Sequence, residues 1–577
     1  MAANVEEVLS QYEKAKTKKS PWLPRFQLLA EYFLSRKANF TSEFNPGDFM
    51  DRDLYDATGS NAARIMGAAL LGMLWPSGAQ SFKFTPPMDV PSNPSTKKFY
   101  ERSHAQVAYI LDDSEAGLVT ALDEFMRDEV VFGTSGIAAL ENIEERNDVD
   151  LIFCAWDIKN MCIAEGKNRR VDTVFYYMEK PLQMVVKDYG LESLSEELVR
   201  CYRESKDYDK KVKLLHVIRP RRNYDENKEG NLNMPWESLT IEIGAKHLIK
   251  ESGFEQLPVF VARFMKNINE ELGRSPAMEA LPDVLEINSI REAEIIAVEK
   301  ILDPPLGVLD DGALGNATID TSAGALNVFN FAGRMGINQP IFPLFTVGDL
   351  RPIKDRMEEL KQSISDHFLI DKLLDFNNEN TMTLGEVKIR EKMRGWTLST
   401  VLSRQIAEVF DPLIKYVFNW ALKKGRLGVV KGSFEELDLL TQGKEIYYIP
   451  DEILKAMTDG RDVYKIEYLT PAARLLQAEV ASGIMDAWKF ANEVIATKPH
   501  AADYLDEDLS IKLVTPLLGA PQILRDDLTV SQIRAVRAKQ LEEQAKRENA
   551  IKEADALSKA GKGVQALAGA GSTTGGV

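Results

Sequence analysis

Residues 70–84 read LLGMLWPSGAQSFKF, an apolar run that stops at a turn and resumes as Phe82-Lys83-Phe84. The sequence is free of charge from Ile65 to Ser81. Pro76 would end a helix here after about half of the roughly 20 apolar residues that a membrane span requires. We therefore interpret residues 65–75 as a helix buried in a protein core, followed by a turn and a short strand, and we predict no membrane insertion.

The start of the chain, MAANVEEVLSQYEKAK, has no apolar segment of the kind found in secretory signals. It predicts a protein that is made and kept in a cytoplasm-like compartment. The first 45 residues as a whole have helical spacing of their apolar positions.

Composition limits the possible functions. A chain of 577 residues, with 44% hydrophobic and 28% charged residues, has ordinary globular composition and room for several domains. Three cysteines without a C-x-x-C pair are too few for a disulfide framework, and five scattered histidines predict no zinc site. A net charge of −17 argues against a polymerase or nuclease that binds DNA tightly over a broad surface. It is compatible with a protein surface that weakly repels DNA while the DNA slides past it.

Between residues 150 and 265 the apolar pattern has a period of two, and turn residues separate β-branched and aromatic segments such as DTVFYYMEK and SLTIEIGAKHLI. This pattern predicts a region of antiparallel sheet. The RPRR run at residues 219–222 follows one of these segments. We interpret it as the solvated end of a hairpin rather than as a nucleic-acid patch.

Helical pattern returns at Ser275, a good N-cap followed by Pro276 at the first helical position, and stops at Asp303-Pro304-Pro305. Residues 304–346 are rich in Gly and Asn and predict short strands and loops. A second amphipathic helix starts near Val347. Its apolar face is formed by Ile353, Met357, Leu360, Ile364 and Phe368.

A capping box at residues 383–386 opens a long helical pattern that runs to Lys424 and closes at Gly425, with a kink expected at Pro412. Residues 426–470 have strand-like pieces. Residues 471–496 and 526–562 have helical patterns, and the last residues are expected to form a disordered tail.

The sequence contains no pattern that demands catalysis. There is no phosphate-binding G-x-x-x-x-G-K-[ST], no H-E-x-x-H and no G-x-G-x-x-G, and GTSG at residues 133–136 misses the nucleophile-elbow pattern by one residue. Cys154 and Cys162 lie in apolar strand segments and are expected to be buried apolar residues rather than nucleophiles. We predict a protein with no enzymatic activity, no catalytic residue, no metal and no cofactor.

Four stretches, in this order, resemble the portal, or head-to-tail connector, proteins of short-tailed podovirus-type phages. They are SNAARIMGAALLGMLWPSGAQSFKF (60–84), DEFMRDEVVFGTSGIAALEN (123–142), LGRSPAMEALPDVLEINSIREAEI (272–295) and TMTLGEVKIREKM (381–393). The resemblance covers roughly residues 20–500 and rests on diffuse patterns rather than on a catalytic fingerprint.

The resemblance implies an α+β chain with the portal-protein fold, which has a helical stem, an α/β wing, a small β-containing clip and a helical C-terminal crown. The boundaries it implies are 1–274 for the N-terminal helices and wing β region, 275–303 for the first stem helix, 304–346 for the clip, 347–370 for the second stem helix, 371–383 for a tunnel loop, 384–500 for the long kinked helix and remaining wing, and 501–577 for the crown helices and tail.

The resemblance also implies a ring of twelve copies at one capsid vertex, the channel for packaging and ejection of double-stranded DNA. Its expected partners are the terminase large subunit, the major capsid protein and scaffold, and a tail adaptor protein. The expected location is the virion, at the head–tail junction, after assembly in the host cytoplasm. Candidate channel-lining residues are Arg351, Lys354, Lys361, Asn377, Asn378, Asn380, Lys388 and Arg390; the alternative for each basic residue is an exposed helix position or an intersubunit ion pair.

Two other functions remain open from the residues alone. Another structural virion component, such as a scaffold or an internal core protein, would predict more continuous helix and less strand in residues 150–265 and 304–346. An enzyme with an active site of unfamiliar pattern is the second alternative.

Overall fold

The computed structural model of the chain describes residues 5–41, 47–48, 53–76, 78, 80–87, 89–91, 93–141, 151–224, 230–310, 319–330, 341–345, 348, 350–373, 398–430, 447–497, 505–517, 523–525, 529–547 and 551–552. The chain forms two compact units, Met1–Leu476 and Gln477–Val577. The described residues mix helices with sheets, in agreement with the predicted α+β class.

The α-helices are α1 (Val5–Lys19), α2 (Leu23–Phe33), α3 (Thr58–Leu74), α4 (Pro94–Asp112), α5 (Leu118–Phe132), α6 (Leu182–Tyr189), α7 (Glu196–Arg200), α8 (Pro276–Leu302), α9 (Arg351–His367), α10 (Ile370–Leu373), α11 (Asp411–Lys423), α12 (Asp451–Thr458), α13 (Pro471–Thr497) and α14 (Glu507–Leu517). Residues 398–405 and 529–547 are also helical. A π-helical turn, Ile406–Phe410, joins residues 398–405 to α11, and we call residues 398–423 together the long helix.

The strands are β1 (Phe82–Thr85), β2 (Thr134–Glu141), β3 (Leu151–Trp156), β4 (Met161–Glu165), β5 (Val171–Pro181), β6 (Lys211–Pro220), β7 (Trp236–Glu242), β8 (His247–Phe254), β9 (Val259–Arg263), β10 (Leu306–Asp310), β11 (Leu326–Asn330), β12 (Ile341–Pro343) and β13 (Lys465–Tyr468). They form four sheets with the strand orders β1-β13, β3-β2-β9, β4-β5-β6-β7-β8 and β11-β10-β12.

The apolar run near residue 70 is buried, as predicted. It forms α3, which is longer than the predicted segment because it starts at Thr58. Leu70 and Phe82 are buried, and the Trp75 ring stacks on Phe410 with 6.0 Å between ring centroids. Apolar residues on both sides of the Pro76 turn therefore enter one core, which packs α2, α3, α5, α8 and the long helix together.

The antiparallel sheet predicted for residues 150–265 is confirmed. Strands β4 to β8 form a five-stranded antiparallel sheet, with pairings such as Phe175 with Val217 and Leu215 with Ile241. Strand β2 pairs with β3 and with β9 in a separate three-stranded antiparallel sheet. Helix α1 covers the five-stranded sheet through Val8 and Tyr12, which bury its alternating apolar residues.

The prediction that the RPRR run is solvated was wrong for two of its three arginines. Arg219 forms an ion pair with Glu237, and Arg221 donates to Glu251 Oε1 at 2.9 Å and to the Ser252 carbonyl at 3.0 Å. These partners lie on the neighbouring strands β7 and β8, which a one-dimensional pattern does not place. Arg222 is exposed, as predicted, and pairs with Glu7 at 2.7 Å.

The prediction of strand-like pieces across residues 426–470 was also wrong in part. Strand β13 lies in this range, but Asp451–Thr458 is a helix. Pro450 precedes it, two acidic residues occupy its first turn, and Ile453 and Ala456 are buried at a spacing of three. These are helix signals that the short length of the segment concealed.

The long helix has its irregularity close to the predicted site. The π-helical turn ends at Phe410, two residues before Pro412, which has no N–H to donate. The helix ends as expected, because Gly425 has a left-handed φ of 68°. The capping box predicted at residues 383–386 lies outside the described residues.

Candidate functional site

Helices α8 and α9 form an antiparallel pair. In the sequence, α8 follows the sheets formed by β2 to β9, and the sheet of β10, β11 and β12 lies between α8 and α9. Ser275 caps α8 as predicted, because its hydroxyl accepts a hydrogen bond from the Met278 N–H at 3.1 Å. The helix ends at Leu302, also as predicted. Helix α9 begins at Arg351, and the predicted apolar face is confirmed: four of its five residues are buried and Ile353 is half-buried.

Polar contacts fix the register of the two helices. The Arg356 guanidinium donates to both carboxylate oxygens of Glu286, at 2.9 and 3.1 Å, and lowers the pKa of that carboxyl. One turn of α8 earlier, Asp283 accepts a hydrogen bond from the Ser363 hydroxyl at 2.6 Å and lies 3.6 Å from the His367 ring. Arg356 is therefore committed to a contact within the chain.

Three of the candidate channel residues share one flank of α9. Arg351, Lys354 and Lys361 fall within about a quarter turn of each other around the helix, beside its buried face. Lys361 lies 3.6 Å from the Glu358 carboxylate, and its side chain remains partly exposed. The other five candidates, Asn377, Asn378, Asn380, Lys388 and Arg390, lie outside the described residues. The structure thus brings three of the eight together.

Sequence reasoning missed an exposed apolar surface at the end of α8. We call it the α8 apolar surface; it consists of Ile295, Ile296, Val298, Ile301 and Leu302. These side chains are between 39% and 80% exposed in the isolated chain, although the residues before them on α8 are largely buried. The run EIIAVEKIL is apolar on several sides of the helix, a pattern that indicates burial but does not show whether the covering residues belong to the same chain.

The β10–β12 sheet continues this exposed apolar character. Strand β10 pairs in parallel with β11 and antiparallel with β12, which confirms the short strands predicted for residues 304–346. Leu326, Ile341 and Phe345 are exposed. The Lys300 ammonium lies 5.7 Å from the Phe345 ring centroid, so the end of α8 is adjacent to the end of β12.

Two of the sequence stretches that carry the resemblance meet at the start of α8. Gly133, between α5 and β2, touches Gly273, and the Gly273 N–H donates to Thr134 Oγ1 at 2.7 Å. The Ser275 hydroxyl donates to the Val131 carbonyl at 2.7 Å. The stretches 123–142 and 272–295 are therefore two sides of one junction, which anchors the α8–α9 pair to α5.

A buried ion-pair network lies behind this junction. Arg263, which is 2% exposed, pairs with Glu165 and with Glu408 of the long helix, and Lys266 also pairs with Glu165. The network connects β4, β9 and the long helix. A charge buried this deeply is stable only while its partners are present.

The described residues offer no arrangement that indicates catalysis. Cys162 is buried, as predicted, whereas Cys154 is only half-buried, and burial raises the pKa of both thiols, which keeps them protonated. Among the described residues, no three His, Cys, Asp or Glu side chains converge as a metal site would require. In the same part of the chain, no helix combines the length and apolarity needed to cross a bilayer.

Comparison with known proteins gives a consistent result. A protein-family model described as bacteriophage head to tail connecting protein matches residues 5–525. The portal protein of Salmonella phage epsilon15 is 24% identical over 548 residues, which cover 93% of this chain and 91% of that protein. The probable portal protein of Bordetella phage BPP-1 is 22% identical over 539 residues, which cover 92% of this chain and 91% of that protein.

Proposed function

Because this chain belongs to the bacteriophage head to tail connecting protein family, we propose that twelve copies of it form a ring around a channel for double-stranded DNA. The chain is a structural portal subunit. The ring would lie at one vertex of the capsid in the virion after assembly in the host cytoplasm. It would bind the terminase large subunit during packaging and then a tail adaptor protein, and it would contact the major capsid protein and scaffold.

The proposed parts of the subunit follow the boundaries given above. The α8–α9 pair would be the stem (275–303 and 347–370) and the β10–β12 sheet would lie in the clip (304–346). Residues 371–383 would form the tunnel loop, 1–274 and 384–500 the wing, and 501–577 the crown and tail. The sheets within residues 150–265 and 304–346 argue against the alternative of a scaffold protein, which would be more continuously helical.

The observation that supports assembly most strongly is the α8 apolar surface. Five large apolar side chains are exposed at one end of this helix, and a monomer would hold them in water at a cost. Burying one such side chain fully is worth about 1.5–3 kcal/mol. In a ring, the neighbouring copy of the chain would cover the α8 apolar surface, since every copy would present the same surface to its neighbour.

The charge of the chain fits a channel role. Each copy carries a net charge of −17, so a ring would repel DNA phosphates and let the duplex slide. Against this background, Arg351, Lys354 and Lys361 on one flank of α9 would act as sparse phosphate contacts. The same role is proposed for Lys388 and Arg390, and Asn377, Asn378 and Asn380 would face DNA at the constriction.

The assembly proposal is tested by making the α8 apolar surface polar. The double variant Ile295→Ser/Leu302→Ser should keep the circular dichroism spectrum of the wild-type chain but sediment as monomers at concentrations where the wild type forms rings. The control is Ile268→Ser, which removes an exposed apolar side chain elsewhere in the chain and should leave assembly unchanged. Rings formed by the double variant at wild-type concentration would contradict the proposed interface.

A further inference from the structure

Two buried polar side chains face each other where α5 meets the long helix. Glu129 and Gln405 are both fully buried, and the Gln405 Nε2–H donates to Glu129 Oε1. Their remaining oxygens, Glu129 Oε2 and Gln405 Oε1, are also buried, and neither has a hydrogen-bond partner among the residues that the structure describes. Buried acceptors without partners are rare in folded proteins, so two of them on one contact need an explanation.

One proton accounts for both unpaired atoms. A carboxylic acid and a primary amide can pair through two hydrogen bonds: the amide N–H donates to one carboxyl oxygen, and the acid O–H donates to the amide oxygen. A proton on Glu129 Oε2 supplies the second bond, to Gln405 Oε1. An ionised carboxylate has no donor, so it would leave two acceptors facing each other inside the core.

The surroundings of Glu129, above all its burial, also favour the neutral acid. Burial is the largest cause that raises its pKa to about 8; the Glu408 carboxylate adds to the increase, and Gln405 and Arg404 oppose it. Within the described part of the chain, no cation forms an ion pair with Glu129. Glu408 is itself paired with Arg263 at 2.8 Å, and the neighbouring Asp128 turns to Lys37 at 2.7 Å.

The Glu129–Gln405 pair lies at the start of an irregular turn of the long helix. Gln405 is the last residue before the π-helical turn Ile406–Phe410, and Pro412 follows that turn. A π turn is a rare irregularity within an α-helix, so the side chains that pack on both sides of it decide whether it persists. Phe410 stacks on Trp75 at one end of the turn, and Gln405 bonds to Glu129 at the other.

We propose that Glu129 is a neutral acid that binds Gln405 through two hydrogen bonds and so latches the π-helical turn of the long helix to α5, and that loss of its proton releases the turn. The latch makes the shape of the long helix respond to proton activity. The contacts that form the latch lie inside one subunit, so the latch does not depend on assembly of the ring.

The protonation state is tested by infrared spectroscopy of the purified full-length protein at pH 7. Glu129→Gln is the informative variant, because a second amide can form the same two hydrogen bonds without a titrating proton. Glu124→Gln, at an exposed position of the same helix, is the matched control. The carbonyl band of a buried protonated acid should be present in the wild type and the control and weaker in Glu129→Gln. Equal bands in all three proteins would overturn the proposal.

The latch itself is tested by hydrogen exchange of the amides in residues 404–410. The exchange protection of these amides in the wild type is divided by their protection in Glu129→Gln at the same pH. Because the pKa of Glu129 is about 8, this ratio should fall about tenfold between pH 7 and pH 9. Glu124→Gln should follow the wild type. A wild-type to Glu129→Gln ratio that stays constant with pH would overturn the latch even if the infrared band is present.

A second variant decides the case if Glu129→Gln does not fold. Gln405→Leu removes the amide but keeps the acid buried. The acid band should persist and move to higher frequency, because the O–H loses its acceptor. A band at the wild-type frequency would show that Glu129 does not donate to Gln405.

Discussion

Gly133 lies where the end of α5 passes against the segment that leads into α8. Its φ of 75° is left-handed, and a Cβ at this position would lie 2.5 Å from the Gly273 carbonyl oxygen and 2.6 Å from the Arg274 carbonyl carbon. Both neighbours are backbone atoms, so no side chain can rotate away. We expect Gly133→Ala to destabilise the first unit by about 3–5 kcal/mol, from the left-handed strain and from broken hydrogen bonds such as that from the Gly273 N–H to Thr134.

The matched control is Gly72→Ala in α3, where a Cβ would meet nothing within 4 Å. Alanine there should stabilise the helix by about 0.5–1 kcal/mol, so the two variants should shift in opposite directions. The assay is the midpoint of the first urea unfolding transition of the full-length chain, followed by hydrogen exchange of residues 130–137. If Gly133→Ala unfolds at the wild-type urea concentration, the close backbone contact inferred between α5 and α8 is wrong.

Three further predictions concern charges. Arg263→Met should destabilise the protein by about 3–5 kcal/mol, because Glu165 and Glu408 lose their common buried partner; a urea midpoint within error of the wild type would contradict this. Burial raises the pKa of Asp128 to about 6, so the folded state binds more protons than the unfolded state and stability should fall by about 2 kcal/mol as pH rises from 4 to 6. Asp128→Asn should lack this part of the pH dependence, and thermal unfolding at several pH values would reveal an unchanged slope if the inference is wrong. Lys354→Glu/Lys361→Glu should reduce the DNA packaged per particle more than Lys98→Glu, an exposed reversal on α4; equal yields from the two variants would argue against a channel position for these lysines.

Local sequence signals predicted the elements that depend on local physics. The Ser275-Pro276 start of α8, the apolar face of α9 and the period-two strands each follow from spacing or capping within one segment. Gly425 ends the long helix for the same reason, since only glycine adopts the left-handed conformation at little cost.

The missed features depend on contacts between distant segments. Arg219 and Arg221 look solvated in the sequence because their partners, Glu237 and Glu251, are supplied by other strands. Helix α12 was missed because a segment of eight residues is too short for its period to show clearly.

The same limit applies to the candidate site. The basic flank of α9 could be predicted from the helix period, whereas the α8 apolar surface could not be distinguished from core residues. A side chain that packs inside its own subunit and one that would pack against a second copy give the same pattern in the sequence. Only the exposed fraction of Ile295 and Leu302 in the folded chain separates the two cases.

Electron microscopy of the purified full-length protein tests most directly whether copies of this chain close into a ring around a channel. The rotational symmetry of top-view particle classes would be counted. We predict closed rings with a central channel and twelvefold symmetry. Filaments, or compact dimers without a channel, would contradict the account.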